Sequence, residues 1–310
     1  MFQRLGIVAT TTALTLVGGG GVAVAVPALE PVADDASGTG SEARVVTDVA
    51  HRGASGYAPE NTLAAIDEAD EREATTVEVD VQRSSDGELV VVHDTTLERT
   101  TDVEDVFPDR APYNVGDFTL GELKELDAGS WYGSDYAGEE VPTLEEVLDR
   151  LEQYGIGFLL EIKSPALYPG IESDIADTFA EHSQWLAPSD GETNRLVIQS
   201  FDWDSVKRSS DELPEVPHGL LGRAPEGEIE DYAEWADQIN PNHTGLDADY
   251  VDSVHDAGME ILPYTLNKAE DMRSVIDMGV DGIISDYPDV ARQVIEEEEG
   301  GRLPQRQALP

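Results

Sequence analysis

The sequence contains no cysteine. Disulfides, thiolate nucleophiles and zinc–thiolate centres are excluded at once, as is a lipid anchor on an N-terminal cysteine. An oxidising compartment stays open, because a secreted protein can lack disulfides. Basic residues are scarce: 19 lysines and arginines stand against 65 acidic residues, a formal charge of -46. A nucleic-acid binder carries the opposite sign, and an anionic membrane surface would repel this chain. Aromatics are only 6% of residues, which together with the charge argues against docking on lipid. Beyond the N-terminus no apolar run is long enough to cross a bilayer.

What is present begins with the acids themselves. They are spread along the whole chain rather than gathered in a tail. Self-repulsion on this scale opposes a compact fold unless salt screens it, and at 1 M salt the screening length falls to roughly 3 Å. A halophilic protein is the expectation.

The first residues have the form of an export signal: Arg4, a moderately apolar stretch from Leu5 to Val17, and the small-x-small triplet Ala23-Val24-Ala25. We expect a signal over residues 1–25, a flexible linker over 26–44, one catalytic domain over 45–295 and a disordered tail over 296–310. Export to the cell envelope or the medium, without stable membrane insertion after cleavage, follows from that reading.

After the linker, short β-branched runs alternate with helical patterns. Strands are expected at Val45–Ala50, Thr75–Val81, Gly157–Ile162, Arg195–Gln199, His218–Leu221, Gln238–Asn240, Glu260–Tyr264 and Gly282–Ser285. Helices include Thr62–Arg72, with Asn61 or Thr62 as cap, and Thr143–Tyr154. Such alternation implies a parallel sheet, and eight units in this length imply an α/β fold of the (β/α)8 TIM-barrel type.

One strand-like segment, Glu88–His93, breaks the alternation. Asp86-Gly87 is a two-residue hairpin signal. A turn there pairs Ser85 with Glu88, Gln82 with Val91 and Asp80 with His93, bringing His93 beside Asp80 on one face. The hairpin opens an insertion over about 84–142, rich in Pro108, Pro112, Gly129, Trp131, Tyr132 and Tyr136. Those aromatics suit either substrate contact or a small core of the insertion's own.

Barrel chemistry sits at the C-terminal ends of the strands. Those positions hold His51 and Arg52, Glu78 and Asp80, Glu161 and Lys163, Tyr264 to Asn267, and Asp286, with His93 on the hairpin. Glu78 and Asp80 share a face, as do Glu161 and Lys163. Carboxylates inside strands are costly unless paired or metal-bound. Three of them, with no cysteine, suit one hard divalent cation, Mg2+ or Ca2+. His51 and His93 suit acid–base work, and Arg52 and Lys163 suit an anion such as phosphate. His182, His218, His243 and His255 belong to no such set and read as structural.

The ordered motifs His51-Arg52-Gly53, Pro59-Glu60-Asn61-Thr62, Glu78-Val79-Asp80, Asp86-Gly87, His93-Asp94, Glu161-Ile162-Lys163 and Gly279-Val280-Asp281-Gly282-Ile283-Ile284-Ser285-Asp286 resemble the glycerophosphodiester phosphodiesterase family. The resemblance implies a barrel enzyme that uses a divalent metal to cleave small-molecule glycerophosphodiesters to an alcohol and glycerol 3-phosphate. By position it implies Glu78, Asp80 and Glu161 as metal ligands, His51 and His93 as the acid–base pair, and Arg52 and Lys163 as phosphate holders. Tyr264 stands where the family often has tryptophan, which touches the glycerol pocket and leaves the head group open. Alternatives are a lysophospholipase-D-like enzyme acting on lipid, and a non-catalytic envelope binding module. The latter should have lost a histidine or a ligand, and this chain keeps all five.

Overall fold

The computed structural model describes residues 44–186, 195–298 and 301–304. The expected signal over 1–25, and all but the last residue of the linker over 26–44, lie outside the described residues. No described helix is long and apolar enough to cross a membrane.

The strands are β1 (Arg44–Val45), β2 (Thr47–His51), β3 (Thr76–Arg83), β4 (Leu89–Val91), β5 (Gly157–Ile162), β6 (Leu196–Ser200), β7 (His218–Leu221), β8 (Gln238–Asn240), β9 (Glu260–Ile261), β10 (Gly282–Ser285) and β11 (Gly301–Arg302). Eight of them form a parallel sheet in the order β10-β2-β3-β5-β6-β7-β8-β9, with β4 antiparallel to β3. The ends of that sheet meet: Asp281 N–H donates to Ile261 O, and Ile284 N–H to Pro263 O. The result is a nearly closed (β/α)8 barrel.

The helices are α1 (Leu63–Glu71), α2 (Val103–Val106), α3 (Leu120–Leu123), α4 (Leu144–Tyr154), α5 (Ile171–Glu181), α6 (Trp203–Glu212), α7 (Ile229–Tyr232), α8 (Ala248–Asp256), α9 (Ala269–Met278) and α10 (Pro288–Glu297). Thr62 caps α1 by accepting from Ala65 N–H, and Thr143 and Glu146 form a capping box at α4. These caps fix where the two helices next to β3 and β5 begin.

The alternation along β3 separates two environments. Val77, Val79 and Val81 are fully buried in the core between sheet and helices, contributing about 1.5–3 kcal/mol each. Glu78, Asp80 and Gln82 lie on the opposite face of the strand and are almost completely buried. Apolar burial on the outer face thus offsets the cost of sequestering acids on the inner one. Val49, Leu159, Leu262 and Ile284 pack together inside the barrel.

Two expectations need correction. The hairpin register is shifted by one residue. Val81 faces Val91, Gln82 faces Val90 and Arg83 faces Leu89, so Asp80 O accepts from Val92 N–H, not His93. The turn has three residues between Ser84 and Glu88. Ser84 Oγ accepts from Glu88 N–H, and Gly87 takes the left-handed conformation at φ 99, as in hairpins with a bulged glycine. The tail expected over 296–310 is also partly regular: α10 reaches Glu297, β11 pairs with β1, and Leu303 packs on the core. The rest of that segment, 299–300 and 305–310, lies outside the described residues.

The insertion builds its own core from Val90, Val92, Leu97, Val103, Tyr113, Val115, Phe118, Leu123, Leu126, Ala128 and Val141. Trp131 and Tyr132 take no part in it. They stay 40% and 37% exposed and stack edge-on with each other and, for Tyr132, with Tyr136.

Candidate active site

Pairing register brings the acids together. His51 on β2 lies opposite Glu78, and Asp80 lies opposite Glu161 on β5. One ligand oxygen from each of Glu78, Asp80 and Glu161 falls within 4.8 Å of the others. All three side chains are buried at the C-terminal end of the barrel.

Two cations lean into this group. Lys163 Nζ donates to Glu161 Oε1 at 2.8 Å and stands 3.2 Å from Asp80 Oδ1. Arg52 donates its backbone N–H to Glu78 Oε2 at 2.8 Å, and its Nε stands 3.4 Å from Asp80 Oδ2. That backbone donor is aimed by a left-handed turn: Arg52 has φ 56 and Gly53 has φ 77. A β-carbon on Gly53 would lie 2.6 Å from Ala65 Cβ, so only glycine lets this loop close on α1. Asn61, also left-handed, donates to Asp80 Oδ2 at 2.8 Å and accepts from Asp80 N–H. Non-glycine residues with positive φ are strained and persist where surroundings over-determine them.

The charges do not balance. Burial, then Asp80 and Glu161, push Glu78 well above the usual carboxylate range. Burial and Asp80 push Glu161 up to about 8. For Asp80, burial acts upward, but Lys163 and Arg52 together hold it at about 2. Three buried carboxylates and two cations leave two acids that favour a proton. All-oxygen donors and crowded buried negative charge fit a hard divalent cation.

Both histidines are held the same way. His51 Nδ1 meets Asp286 Oδ1 at 2.6 Å, and His93 Nδ1 meets Asp94 Oδ1 at 2.7 Å. Asp286 is further fixed by Ser55 Oγ and Asn267 Nδ2. The His93-Asp94 turn is held from below, because Gln82 Nε2 donates to Val92 O and Asp94 O, and Tyr168 donates to Gln82 Oε1. Each ring therefore commits Nδ1 to a carboxylate, and neither Nε2 has a protein partner among the described residues. Burial lowers the His93 pKa, against the upward pull of Asp80.

The structure thus gathers His51, Arg52, Glu78, Asp80, His93, Glu161 and Lys163. Tyr264 lies at the edge: its ring meets Phe201 at 5.8 Å, and Lys163 Nζ stands 5.8 Å from the Phe201 ring. His218 is buried between Val216 O and Ser209 Oγ, away from this set. Gln82 and Phe201 carried no chemical role in the sequence reading, Asn61 stood there as a helix-cap candidate, and Asp94 and Asp286 appeared only within motifs or at a strand end. An aspartate directly after His93 and a phenylalanine directly after β6 were the available signals. A hollow of about 560 Å3 opens at the other end of the barrel, among Thr75, Gly157, Gln238 and Glu260, and contains none of the residues gathered here.

The chain is similar to known proteins in both sequence and fold. Residues 51–290 match the model of the glycerophosphoryl diester phosphodiesterase family. The Bacillus subtilis protein YhdW is 38% identical over 246 residues, covering 78% of this chain and 94% of the relative. A glycerophosphodiester phosphodiesterase of the same organism is 34% identical over 265 residues, covering 81% and 86%. An Oleispira antarctica phosphodiesterase, solved in complex with the product sn-glycerol-3-phosphate, superposes with a TM-score of 0.70 at 32% identity, covering 82% of this chain and 97% of that one.

Proposed function

Because the chain belongs to the glycerophosphoryl diester phosphodiesterase family and is a glycerophosphodiester phosphodiesterase, we propose that His51 and His93 are its acid–base pair, that Glu78, Asp80 and Glu161 hold one divalent cation, and that sn-glycerol 3-phosphate and an alcohol are the products. The observation that carries this reading is the pair of Asp-anchored histidines beside a buried carboxylate triad.

Bound there, Mg2+ or Ca2+ would reduce the charge of the phosphodiester and polarise its P–O bonds. Arg52 and Lys163 donate to the non-bridging oxygens, where negative charge gathers as the reaction proceeds. Asp94 and Asp286 hold the Nδ1 protons, so each Nε2 faces the substrate in a defined tautomer. One Nε2 takes the proton from the attacking oxygen, that of water or of the substrate's glycerol 2-hydroxyl. The other, which enters the reaction as the doubly protonated imidazolium, delivers its Nε2 proton to the departing alcohol oxygen as its bond to phosphorus breaks. Phe201 and Tyr264 offer an apolar wall beside Lys163 for the glycerol carbons.

The test is glycerol 3-phosphate release from glycerophosphocholine by purified protein in multimolar salt with Mg2+ or Ca2+. His51→Ala and His93→Ala should each lose at least about 100-fold in kcat, the usual worth of a positioned acid or base. Wild-type turnover in either variant refutes the assignment.

One observation favours a second reading. Leu167 and Phe201, which are exposed large apolar side chains, follow β5 and β6 at the C-terminal end of the barrel. Exposed apolar side chains there suit an acyl-bearing substrate. Faster cleavage of lysophosphatidylcholine than of glycerophosphocholine would establish it, and cleavage of glycerophosphocholine alone would remove it.

A further inference from the structure

Arg99 lies on the insertion and grips two carboxylates at once. Its Nε and Nη2 donate to Asp94 Oδ2 and Oδ1 at 2.6 and 3.0 Å. Its Nη1 and Nη2 donate to Glu60 Oε2 and Oε1 at 2.8 and 2.7 Å. Each carboxylate has a second commitment inside the site. Glu60 Oε1 accepts from Arg52 Nη1 at 2.9 Å, and Asp94 Oδ1 holds His93 Nδ1 at 2.7 Å. A continuous chain therefore runs from Asp80 through Arg52, Glu60, Arg99 and Asp94 to His93.

The segment that delivers Arg99 is firmly seated. Leu97 is fully buried in the insertion core, Leu97 N–H donates to Tyr113 O, and Thr101 N–H donates to Leu97 O. The insertion's small core thus acts as a mount for one guanidinium. Arg99 is 43% exposed while Glu60 is only 12% exposed. An ordinary surface ion pair contributes little, but a doubly bidentate guanidinium has the geometry of the strong class.

We infer that Arg99 is a positioning residue for the phosphodiesterase reaction, setting Arg52 through Glu60 and His93 through Asp94; this rests on the proposed roles of Arg52 and His93. Two effects follow from its removal. Glu60, losing a cation that neutralises it, draws Arg52 away from the phosphate and weakens anion binding. Asp94, losing its bidentate partner, no longer holds the His93 ring in one orientation and slows proton transfer. A lysine cannot replace it, because one ammonium cannot present four forked donors to two carboxylates.

The test compares wild type, Arg99→Ala, Arg99→Lys, Asp94→Asn and the Arg99→Ala/Asp94→Asn double variant in high salt with Mg2+ or Ca2+. It reads kcat on glycerophosphocholine and, separately, the Kd of sn-glycerol 3-phosphate by calorimetry. Arg99→Ala should lower kcat by about 10–100-fold and raise Kd by about 5–10-fold, the range for lost charge-assisted hydrogen bonds. In the Asp94→Asn background the kcat effect of Arg99→Ala should shrink to about 3-fold or less, because both act through one ring. The Kd effect, which runs through Glu60, should persist there. Should Arg99→Ala prove unfolded by circular dichroism, Arg99→Lys takes its place, with less than half of wild-type kcat expected. Unchanged kcat and Kd, an undiminished kcat loss in the Asp94→Asn background, or full rescue by lysine each overturn the inference. Absence of wild-type turnover would instead strike the proposed function, and the Kd measurements would still judge Arg99.

Discussion

Asp286→Asn is the sharpest perturbation of a residue that touches no phosphate ligand. Asp286 collects three donors with its two oxygens: His51 Nδ1 at 2.6 Å, Ser55 Oγ at 3.1 Å and Asn267 Nδ2 at 2.6 Å. Asn267 is fixed in orientation, because its Oδ1 accepts from Asp286 N–H. An asparagine at 286 offers one oxygen and one amino group. It must turn that amino group toward Asn267 Nδ2 or toward His51 and Ser55. In the first case two amino groups collide; in the second His51 loses its Nδ1 acceptor and is pushed to the wrong tautomer. Either way a charge-assisted hydrogen bond is lost, worth about 1.5–3 kcal/mol, which corresponds to about 10–150-fold in rate. The change is nearly isosteric and the site is partly open, so the fold should survive. Steady-state release of glycerol 3-phosphate from glycerophosphocholine measures the loss, and it should fall on kcat more than on KM. A kcat within 2-fold of wild type would show that His51 does not depend on Asp286.

Other expectations follow from the same geometry. Glu78→Gln removes one of three crowded buried carboxylates; it should raise the melting temperature of metal-stripped protein at pH 8 while abolishing turnover. Because the folded pKa of Glu78 is raised, the destabilisation it causes grows as pH rises above 4.5, so the gain from Glu78→Gln should vanish in acid. Burial lowers the His218 pKa from 6.5 to about 4. The unfolded chain therefore binds a proton first, and this residue costs about 3 kcal/mol of stability as pH falls from 6.5 to 4. Denaturant titrations of His218→Gln against wild type should give a flatter slope across that window. Gln82→Leu cuts the donors that hold Val92 O and Asp94 O and leaves the Tyr168 hydroxyl unpaired. Its kcat should fall by about 10-fold or more with metal affinity retained, and calorimetry of Ca2+ binding beside turnover separates the two.

The grouping of side chains at the C-terminal end of the barrel was legible because it depends on short-range rules. Strand period placed Glu78 and Asp80 on one face, and strand-end position placed His51, Glu161 and Lys163 beside them. The hairpin register was misjudged by one residue, since Asp86-Gly87 also fits a three-residue turn, and Ser84 Oγ capturing Glu88 N–H selects it. His93 still reaches the site because the chain leaves the ladder at Val91. Asp94, Asp286 and Arg99 were harder to see. Their partners are ring nitrogens and carboxylates brought close by irregular loops, and in a chain with 65 acidic residues no single aspartate stands out. The aromatics Trp131, Tyr132 and Tyr136 were open between two uses, and the structure leaves all three outside the insertion's core, with Trp131 and Tyr132 at the surface.

The central claim is that a cation held by Glu78, Asp80 and Glu161 is required for phosphodiester cleavage beside His51 and His93. Metal-stripped protein in multimolar salt, assayed for glycerol 3-phosphate release while Mg2+ or Ca2+ is titrated in, tests it most directly. The account predicts no turnover without metal, saturating recovery with one ion per chain, and no recovery in Glu161→Gln. Full turnover in the presence of chelator, or full recovery in Glu161→Gln, would contradict it.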